Sequence, residues 1–184
     1  MRILTIILSL VCVSAFGVTP GEFKKTKEQA EKGDAIAQYN LGLCYANGIG
    51  VSKDKVEASV WYRKSAEQGH DLAQNNLGAL YFNGDGVPRD PINANFWYKK
   101  SAEQGCSLGQ LNYGLIKAFG EGVARDPIEG HAWLIISAEN NTEAKEIKDK
   151  FEGTLTANEI QLAQSRSKEI KAKIEADKKK TEKK

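Results

Sequence analysis

The sequence has 184 residues, with 26 basic and 24 acidic side chains, a net charge of +2 and a mean hydropathy of −0.47. This composition is typical of a soluble domain and excludes a predominantly transmembrane or disordered chain. The small net charge argues against a strongly basic nucleic-acid-binding protein. With two histidines and three cysteines, few side chains suit a metal site or a general base, so we expect no cofactor, no metal and no nucleic-acid partner.

The N-terminus has the pattern of a secretory signal peptide. One basic residue, Arg2, precedes the apolar run Ile3–Val13, and small residues follow near Ala15 and Gly17. A membrane span needs about 20 apolar residues, and this run is about half that length. We therefore predict a signal peptide over residues 1–17, cleaved near Ala15 or Gly17, and a periplasmic or secreted protein. An uncleaved anchor and lipidation at Cys12 are alternatives that the pattern favours less.

A gapless 36-residue repeat follows, in three units at residues 33–68, 69–104 and 105–140. Units one and two are identical at 20 of 36 positions, and units two and three at 16 of 36. The columns shared by all three units include glycines and a tryptophan. The glycines are Gly42, Gly78 and Gly114; Gly48, Gly84 and Gly120; and Gly50, Gly86 and Gly122; the tryptophans are Trp61, Trp97 and Trp133.

Each unit is predicted to form two helices. In the first unit, Ala37, Leu41 and Tyr45 share one face of a helix over residues 34–47. Gly42 lies beside this apolar face, where a missing side chain lets a neighbouring helix approach. Gly48 is predicted to end this helix, because glycine adopts the left-handed conformation at little cost.

The second helix of each unit is predicted to start at an aspartate and to end at the next unit's first glycine. Asp54 is placed as an N-cap, and Asp90 and Asp126 precede a proline, which suits the first helical position. The Trp-Tyr column could form a base-stacking platform. Its helical recurrence favours a core role, as does its place within residues 28–166, where 19 acidic side chains outnumber 14 basic ones.

These motifs resemble the Sel-one-like repeat, a relative of the tetratricopeptide repeat. The matching residues of the second unit are Ala73-x-x-x-Leu77-Gly78-x-x-Tyr81, Gly84-x-Gly86-Val87-x-x-Asp90, Ala94-x-x-Trp97-Tyr98 and Ala102-Glu103-x-Gly105. The resemblance implies an all-α fold, an α/α solenoid of three helix-turn-helix repeats whose first helices line a concave surface. It also implies protein–protein contacts in exported bacterial proteins.

Both ends of the repeat array are predicted to be capped by helices. Residues 18–32 resemble a half unit that covers the first repeat, and residues 141–177 are predicted to form two C-terminal capping helices. Thr156 and Glu159 have the spacing of a capping box, and Ile160, Ser167, Ile170 and Ile174 form a thin apolar stripe. The lysine-rich tail, residues 178–184, is predicted to be disordered, with weak contact to an anionic surface as a minor alternative.

By analogy with tetratricopeptide repeats, side chains at several recurring positions of the first helices are predicted to bind a partner. A peptide or partner helix would contact apolar side chains there. The column Asn40, Asn76 and Asn112 has another interpretation, in which its amides tie neighbouring units together. The predicted partner-binding residues are Tyr39, Leu43, Asn75, Phe82, Leu111 and Leu115.

The remaining reactive side chains have simpler interpretations than catalysis. His70 and Cys106 occupy one repeat column at a helix start, and neighbouring units lie about 10 Å apart, too far for a nucleophile–base pair. A Cys44–Cys106 disulfide needs Cα atoms within about 7 Å, and the two positions lie at opposite ends of different helices. His131 is assigned to the surface or to packing.

The sequence therefore predicts a monomeric, non-catalytic adaptor of the bacterial cell envelope that binds a protein or peptide of unknown identity. The alternative is a weak hydrolase of β-lactams or peptidoglycan fragments, as proposed for the cysteine-rich branch of the family. That branch has two cysteines per repeat, a feature that none of these units shares.

Overall fold

The computed structural model describes residues 20–181, which form nine α-helices and no β-strand. The predicted signal peptide, residues 1–17, lies outside the described residues. The helices are α1 (Pro20–Glu31), α2 (Ala35–Asn47), α3 (Lys55–Glu67), α4 (Asp71–Asn83), α5 (Pro91–Glu103), α6 (Ser107–Phe119), α7 (Pro127–Ser137), α8 (Thr142–Glu152) and α9 (Ala157–Thr181).

Three helix pairs recur at intervals of 36 residues: α2 and α3, α4 and α5, and α6 and α7. The all-α fold with three repeats, predicted from the sequence, is thus confirmed. Helix α1 precedes the first pair, and α8 and α9 follow the third.

The predicted helix ends are confirmed in each repeat. Gly48, Gly84 and Gly120 adopt left-handed backbone conformations with φ of 75°, 75° and 76°. A non-glycine side chain is strained in this region, so the glycine column ends the first helices. At the start of α3, the Asp54 carboxylate accepts hydrogen bonds from the backbone of Val56 and Glu57.

The chain divides into two compact units, which are described separately. The first contains the described residues up to Ala94. Within it, α1 packs on α2, α2 on α3 and α3 on α4. The side chains of Ala30, Leu41 and Trp61 meet in one buried cluster. A Cβ atom on Gly42 would lie 2.5 Å from the Tyr62 ring, so this glycine permits the predicted close approach of α2 and α3.

The second unit begins at Asn95, so the unit boundary falls within α5. In this unit α6 packs on α7, and α7 packs on both α8 and α9. The tryptophan of the third repeat, Trp133, is buried, as are Trp61 and Trp97. Helix α9 buries a stripe of four residues, Ala163, Ser167, Ile170 and Ile174.

The predicted capping box is present at the start of α9. The backbone N–H of Thr156 donates to the Glu159 carboxylate at 2.8 Å, and the N–H of Glu159 donates to the Thr156 hydroxyl oxygen at 3.3 Å. The Thr156 backbone N–H and the Thr156 hydroxyl, which donates to the same carboxylate at 2.7 Å, hold the pKa of Glu159 below its usual range.

Helix α9 continues further than the sequence indicates. It extends to residue 181, although residues 178–184 are predicted to be disordered, so that prediction does not hold for 178–181. Lysines in the last turn interact favourably with the negative end of the helix dipole. Lys180 also lies 3.2 Å from the Asp177 carboxylate, one turn earlier.

Candidate functional site

The first helix of each repeat has one side that faces solvent. In α2 this side contains Ile36, Asn40, Leu43 and Asn47, at spacings of four, three and four residues, which place them on one helix face. The buried face of the same helix contains Ala37, Leu41 and Cys44. The first-helix stripe consists of residues 36, 40, 43 and 47 of α2 with their repeat equivalents, 72, 76, 79 and 83 of α4 and 108, 112, 115 and 119 of α6.

Apolar side chains occur on this stripe in all three repeats. Ile36 is 62% exposed, and Phe119 at the end of α6 is 39% exposed. The other large apolar members are half-buried: Leu43, Leu72, Leu108 and Leu115. Each first helix therefore offers an accessible apolar surface.

Two of the six predicted partner-binding residues, Leu43 and Leu115, lie on the stripe. Asn75, Phe82 and Leu111 instead are buried, with 4–6% of their surfaces exposed. Leu111 belongs to the core cluster that joins α6, α7 and α8. These three side chains face the interior and, as placed, offer a partner almost no surface.

Tyr39, another predicted partner-binding residue, packs between successive repeats. Its ring stacks on the His70 ring, with centroids 4.6 Å apart and an interplanar angle of 19°. His70 caps α4, because its Nδ1 accepts a hydrogen bond from the Ala73 backbone at 3.3 Å. Burial lowers the pKa of His70, and the nearby Asp71 carboxylate opposes that effect. Tyr39 thus contacts the next repeat.

The asparagine column differs between repeats. Asn40 of α2 is exposed, whereas Asn76 of α4 is half-buried. The Asn76 side-chain oxygen accepts a hydrogen bond from the Asn75 amide at 3.3 Å. The α2 member of the column is therefore the one most accessible to a partner.

The two described cysteines are free and buried, in different units. Burial raises the pKa of the Cys44 thiol, which disfavours its thiolate. Cys106 stands at the N-cap of α6 without a side-chain capping bond. Within residues 20–181, no group of three or more histidine, cysteine, aspartate or glutamate side chains is arranged to hold a metal ion.

His131 lies in the interior and not at the surface. It is fully buried in α7, with Nε2 3.5 Å from a Glu152 carboxylate oxygen of α8. Its ring also faces Phe151, at 6.0 Å between centroids. Of its two possible assignments the structure supports packing, but neither ring nitrogen has a hydrogen-bond partner among the described residues, so the histidine is not satisfied there.

Sequence reasoning missed the column of Ile36, Leu72 and Leu108 at the start of the stripe. Each residue precedes the interior column of Ala37 by one position, which places it about 100° away around the helix. An apolar residue that recurs outside the buried stripe is the signal that would have identified it.

The sequence and structure were compared with known proteins. Residues 35–70, 71–106 and 107–142 match the family model described as Sel1 repeat. These segments begin two residues after the repeat boundaries chosen from the sequence. A search of curated proteins found no match. In the described residues, 20–181, none of the helices combines the length and the apolar character needed to cross a membrane.

Three solved structures are similar to this chain. One is c5321, a protective antigen present in uropathogenic Escherichia coli strains and displaying an SLR fold, with 36% identity and a TM-score of 0.78 over 83% of this chain and 33% of that chain. A Sel1 repeat protein from Oxalobacter formigenes has 39% identity and a TM-score of 0.64, covering 68% of this chain and 52% of that chain.

The third similar structure is cysteine rich protein B from Helicobacter pylori. It has 19% identity and a TM-score of 0.58, over 70% of this chain and 96% of that chain. At this identity the likeness concerns the fold alone. The present chain spans a third of the length of the Escherichia coli chain and about half of the Oxalobacter chain.

Proposed function

The chain belongs to the Sel1 repeat family, and on that basis we propose that it is a non-catalytic binding protein. Its ligand is a protein or peptide segment, which binds the part of the first-helix stripe on α2 and α4, in the first unit. The chain acts as an exported adaptor or regulator that binds its partner and catalyses no reaction.

The observation that carries this proposal is the recurrence of apolar side chains at positions that solvent reaches at least in part. The accessible side of a surface helix is typically polar, yet position 36 and its equivalents hold the exposed Ile36 and the half-buried Leu72 and Leu108. Clustered apolar residues on a surface mark interaction sites. A partner that covers Ile36 and Leu43 gains their burial, which is worth about 1.5–3 kcal/mol for each side chain that is fully covered.

Polar groups on the stripe suit an extended peptide segment. Asn40 and Asn47 alternate with Ile36 and Leu43 on α2, and both asparagines are exposed. An amide side chain offers both hydrogen-bond donors and an acceptor, which complement a peptide backbone. The apolar neighbours would then select the side chains of the ligand.

The proposed location outside the cytoplasm is supported by the N-terminal sequence. The basic start, short apolar run and small residues before Val18 have the pattern of a secretory signal. The similar Escherichia coli protein is described as a protective antigen, a description that fits an exported protein. Its antigenic role belongs to a chain three times as long and is not carried over.

The test is quantitative capture from an envelope extract, with the mature chain from Val18 as bait. The double variant Ile36→Asp/Leu43→Asp should reduce capture of a specific partner at least about tenfold, because each change removes about 1 kcal/mol or more of apolar contact. The matched control is Leu162→Asp, which changes an exposed apolar residue of α9 away from the stripe.

A partner that is held equally by the wild-type chain and by the Ile36→Asp/Leu43→Asp variant would contradict the proposed site. Equal loss with Leu162→Asp would also contradict it, because general surface hydrophobicity would then account for capture. Thermal unfolding of both variants checks that each remains folded, as expected for substitutions at exposed and half-buried positions.

A further inference from the structure

One face of α7 is built to receive another helix. Glu129, Ala132, Ile136 and Glu139 follow one another at spacings of three, four and three residues, which places them on one side of α7 and its C-terminal extension. The two central residues are apolar, and an acidic residue stands at each end. Their side chains thus form an apolar strip between two carboxylates.

Helix α9 covers this face of α7. The Arg166 guanidinium lies 2.9 Å from the Glu129 carboxylate, and Lys171 forms an ion pair with Glu139. Between these two anchors Ala132 is 0% exposed and Ile136 is 5% exposed. A basic amphipathic helix is therefore the ligand that this arrangement accepts within the chain.

Helix α3 carries the corresponding face without a cover. The residues equivalent to Glu129 and Glu139 are Glu57 and Glu67, so both acidic anchors recur, and both are exposed. The position equivalent to Ala132 is Val60, which is 41% exposed, and the adjacent Val56 is 58% exposed. The outer face of α3 is defined as Val56, Glu57, Val60, Lys64 and Glu67.

We infer that the outer face of α3 binds a basic amphipathic helix of a partner protein, packed on α3 as α9 packs on α7. The apolar stripe of that helix covers Val56 and Val60, and its basic side chains pair with Glu57 and Glu67. This inference does not depend on the first-helix stripe, since none of these residues belongs to it.

Lys64 takes the place of Ile136 in the centre of this face. Its ammonium group lies over the Trp61 ring, 3.9 Å from the centroid, and so already has a favourable cation–π contact. The aliphatic stem of such a lysine can pack against an apolar neighbour while the charge stays near water. The face therefore tolerates a basic ligand despite this residue.

The partner helix comes from another protein and not from α9 of a second copy. In this chain α9 already buries Ala163, Ile170 and Ile174, and its basic residues pair with Glu129 and Glu139. A second copy would have to release that helix from its own α7 before offering it.

The probe is a fluorescein-labelled peptide of residues 157–177, added to the full mature chain and followed by fluorescence anisotropy. We expect saturable binding that weakens about tenfold for Val60→Asp, which removes an apolar contact and places a carboxylate against the apolar stripe of the peptide, where it loses its hydration. Glu57→Gln/Glu67→Gln should weaken binding a few-fold, and binding should weaken with added salt.

Two controls separate this site from its alternatives. Leu162→Asp in the full chain, at an exposed apolar residue of α9 that belongs to neither proposed surface, should leave peptide affinity unchanged. If the peptide merely displaces α9 from α7, Val60→Asp will have no effect, and the inference is overturned. Circular dichroism melting of the Val60→Asp variant checks that loss of binding is not loss of folding.

Two further outcomes also overturn the inference. The first is absence of peptide binding at concentrations up to about 1 mM. The second is concentration-dependent self-association of the chain, seen by analytical ultracentrifugation and abolished by Val60→Asp, which would make a second copy the occupant of this face.

Discussion

The second helices of the first and third repeats share a sequence pattern but have different neighbours. The outer face of α3 is open, whereas α7 is covered by α9 on its outer face and by α8 beside it. Their sequences differ where those neighbours touch. Lys64 in α3 corresponds to Ile136 in α7, Ser59 corresponds to His131, and Ala58 corresponds to Gly130.

Each difference matches a change in surroundings. Ile136 is buried beneath α9, and His131 faces α8 through Glu152. Gly130 faces α6, where an added Cβ atom would lie 2.5 Å from the Ala118 backbone nitrogen. The third repeat thus retains the helix pair, the glycine that ends α6 and the aspartate that caps α7. Single substitutions fit it to the capping helices and to a closer helix contact.

The largest effect is expected from making α7 resemble α3 at its outer face. Ile136→Lys removes a buried apolar side chain and places an ammonium group beneath α9. We expect a loss of about 3 kcal/mol in the free energy of unfolding. Urea denaturation followed by circular dichroism measures this change.

The reciprocal substitution, Lys64→Ile in α3, is the matched control. Because Lys64 is exposed, we expect stability to change by no more than about 0.5 kcal/mol. Similar losses of unfolding free energy for Ile136→Lys and Lys64→Ile would show that α9 does not specifically cover the outer face of α7.

A smaller effect is expected where α7 meets α6. Gly130→Ala improves intrinsic helix propensity by about 1 kcal/mol, but its methyl group would overlap the α6 backbone. Overpacking of this kind typically costs about 1–3 kcal/mol, so we expect a net destabilisation of about 1 kcal/mol. Urea unfolding midpoints at constant slope measure it.

The opposite change in α3, Ala58→Gly, should also destabilise, by about 1–2 kcal/mol, because it lowers helix propensity and removes a buried methyl group. Gly130→Ala and Ala58→Gly, which are opposite substitutions at the same position of the repeat, would then both lower the free energy of unfolding. A stabilising Gly130→Ala would contradict the close approach of α6 and α7.

The sequence predicted what depends on local geometry. The glycine caps at Gly48 and its equivalents follow from recurrence and from the conformational freedom of glycine. The small size of Gly42 indicated that a neighbouring helix approaches there, although not which residue it would contact. Thr156 and Glu159 form their predicted capping box for the same reason, because its bonds connect residues three apart.

What depends on neighbouring helices was predicted less well. Leu111 and Leu115 lie four residues apart on α6 and contact the same core cluster, yet Leu111 is buried in it while Leu115 packs at its edge and stays half-buried. The spacing of residues along a helix does not indicate which side of that helix the next helix covers. The path of α9 over α7 depends on contacts 30 or more residues apart, such as Arg166 with Glu129, which no short pattern reveals.

The smallest effect concerns pH, and it tests the contact of α7 with α8. Burial lowers the pKa of His131, the Glu152 carboxylate opposes this, and Lys148 adds to it. The folded-state pKa lies below the unfolded value of about 6.5. Between these two pKa values the unfolded chain binds more protons than the folded chain. Stability should therefore be complete above about pH 6.5 and fall as the pH decreases towards the folded-state pKa.

The variant His131→Asn, which installs the residue of the second repeat at this position, isolates that contribution. His70 also has a pKa lowered by burial, so the variant should keep part of the pH dependence, with a shallower decrease in unfolding free energy from pH 7.5 to pH 5.5. Equal slopes for the two proteins would mean that His131 is protonated as readily in the folded chain as in the unfolded one. The burial of α7 against α8 would then not govern its titration.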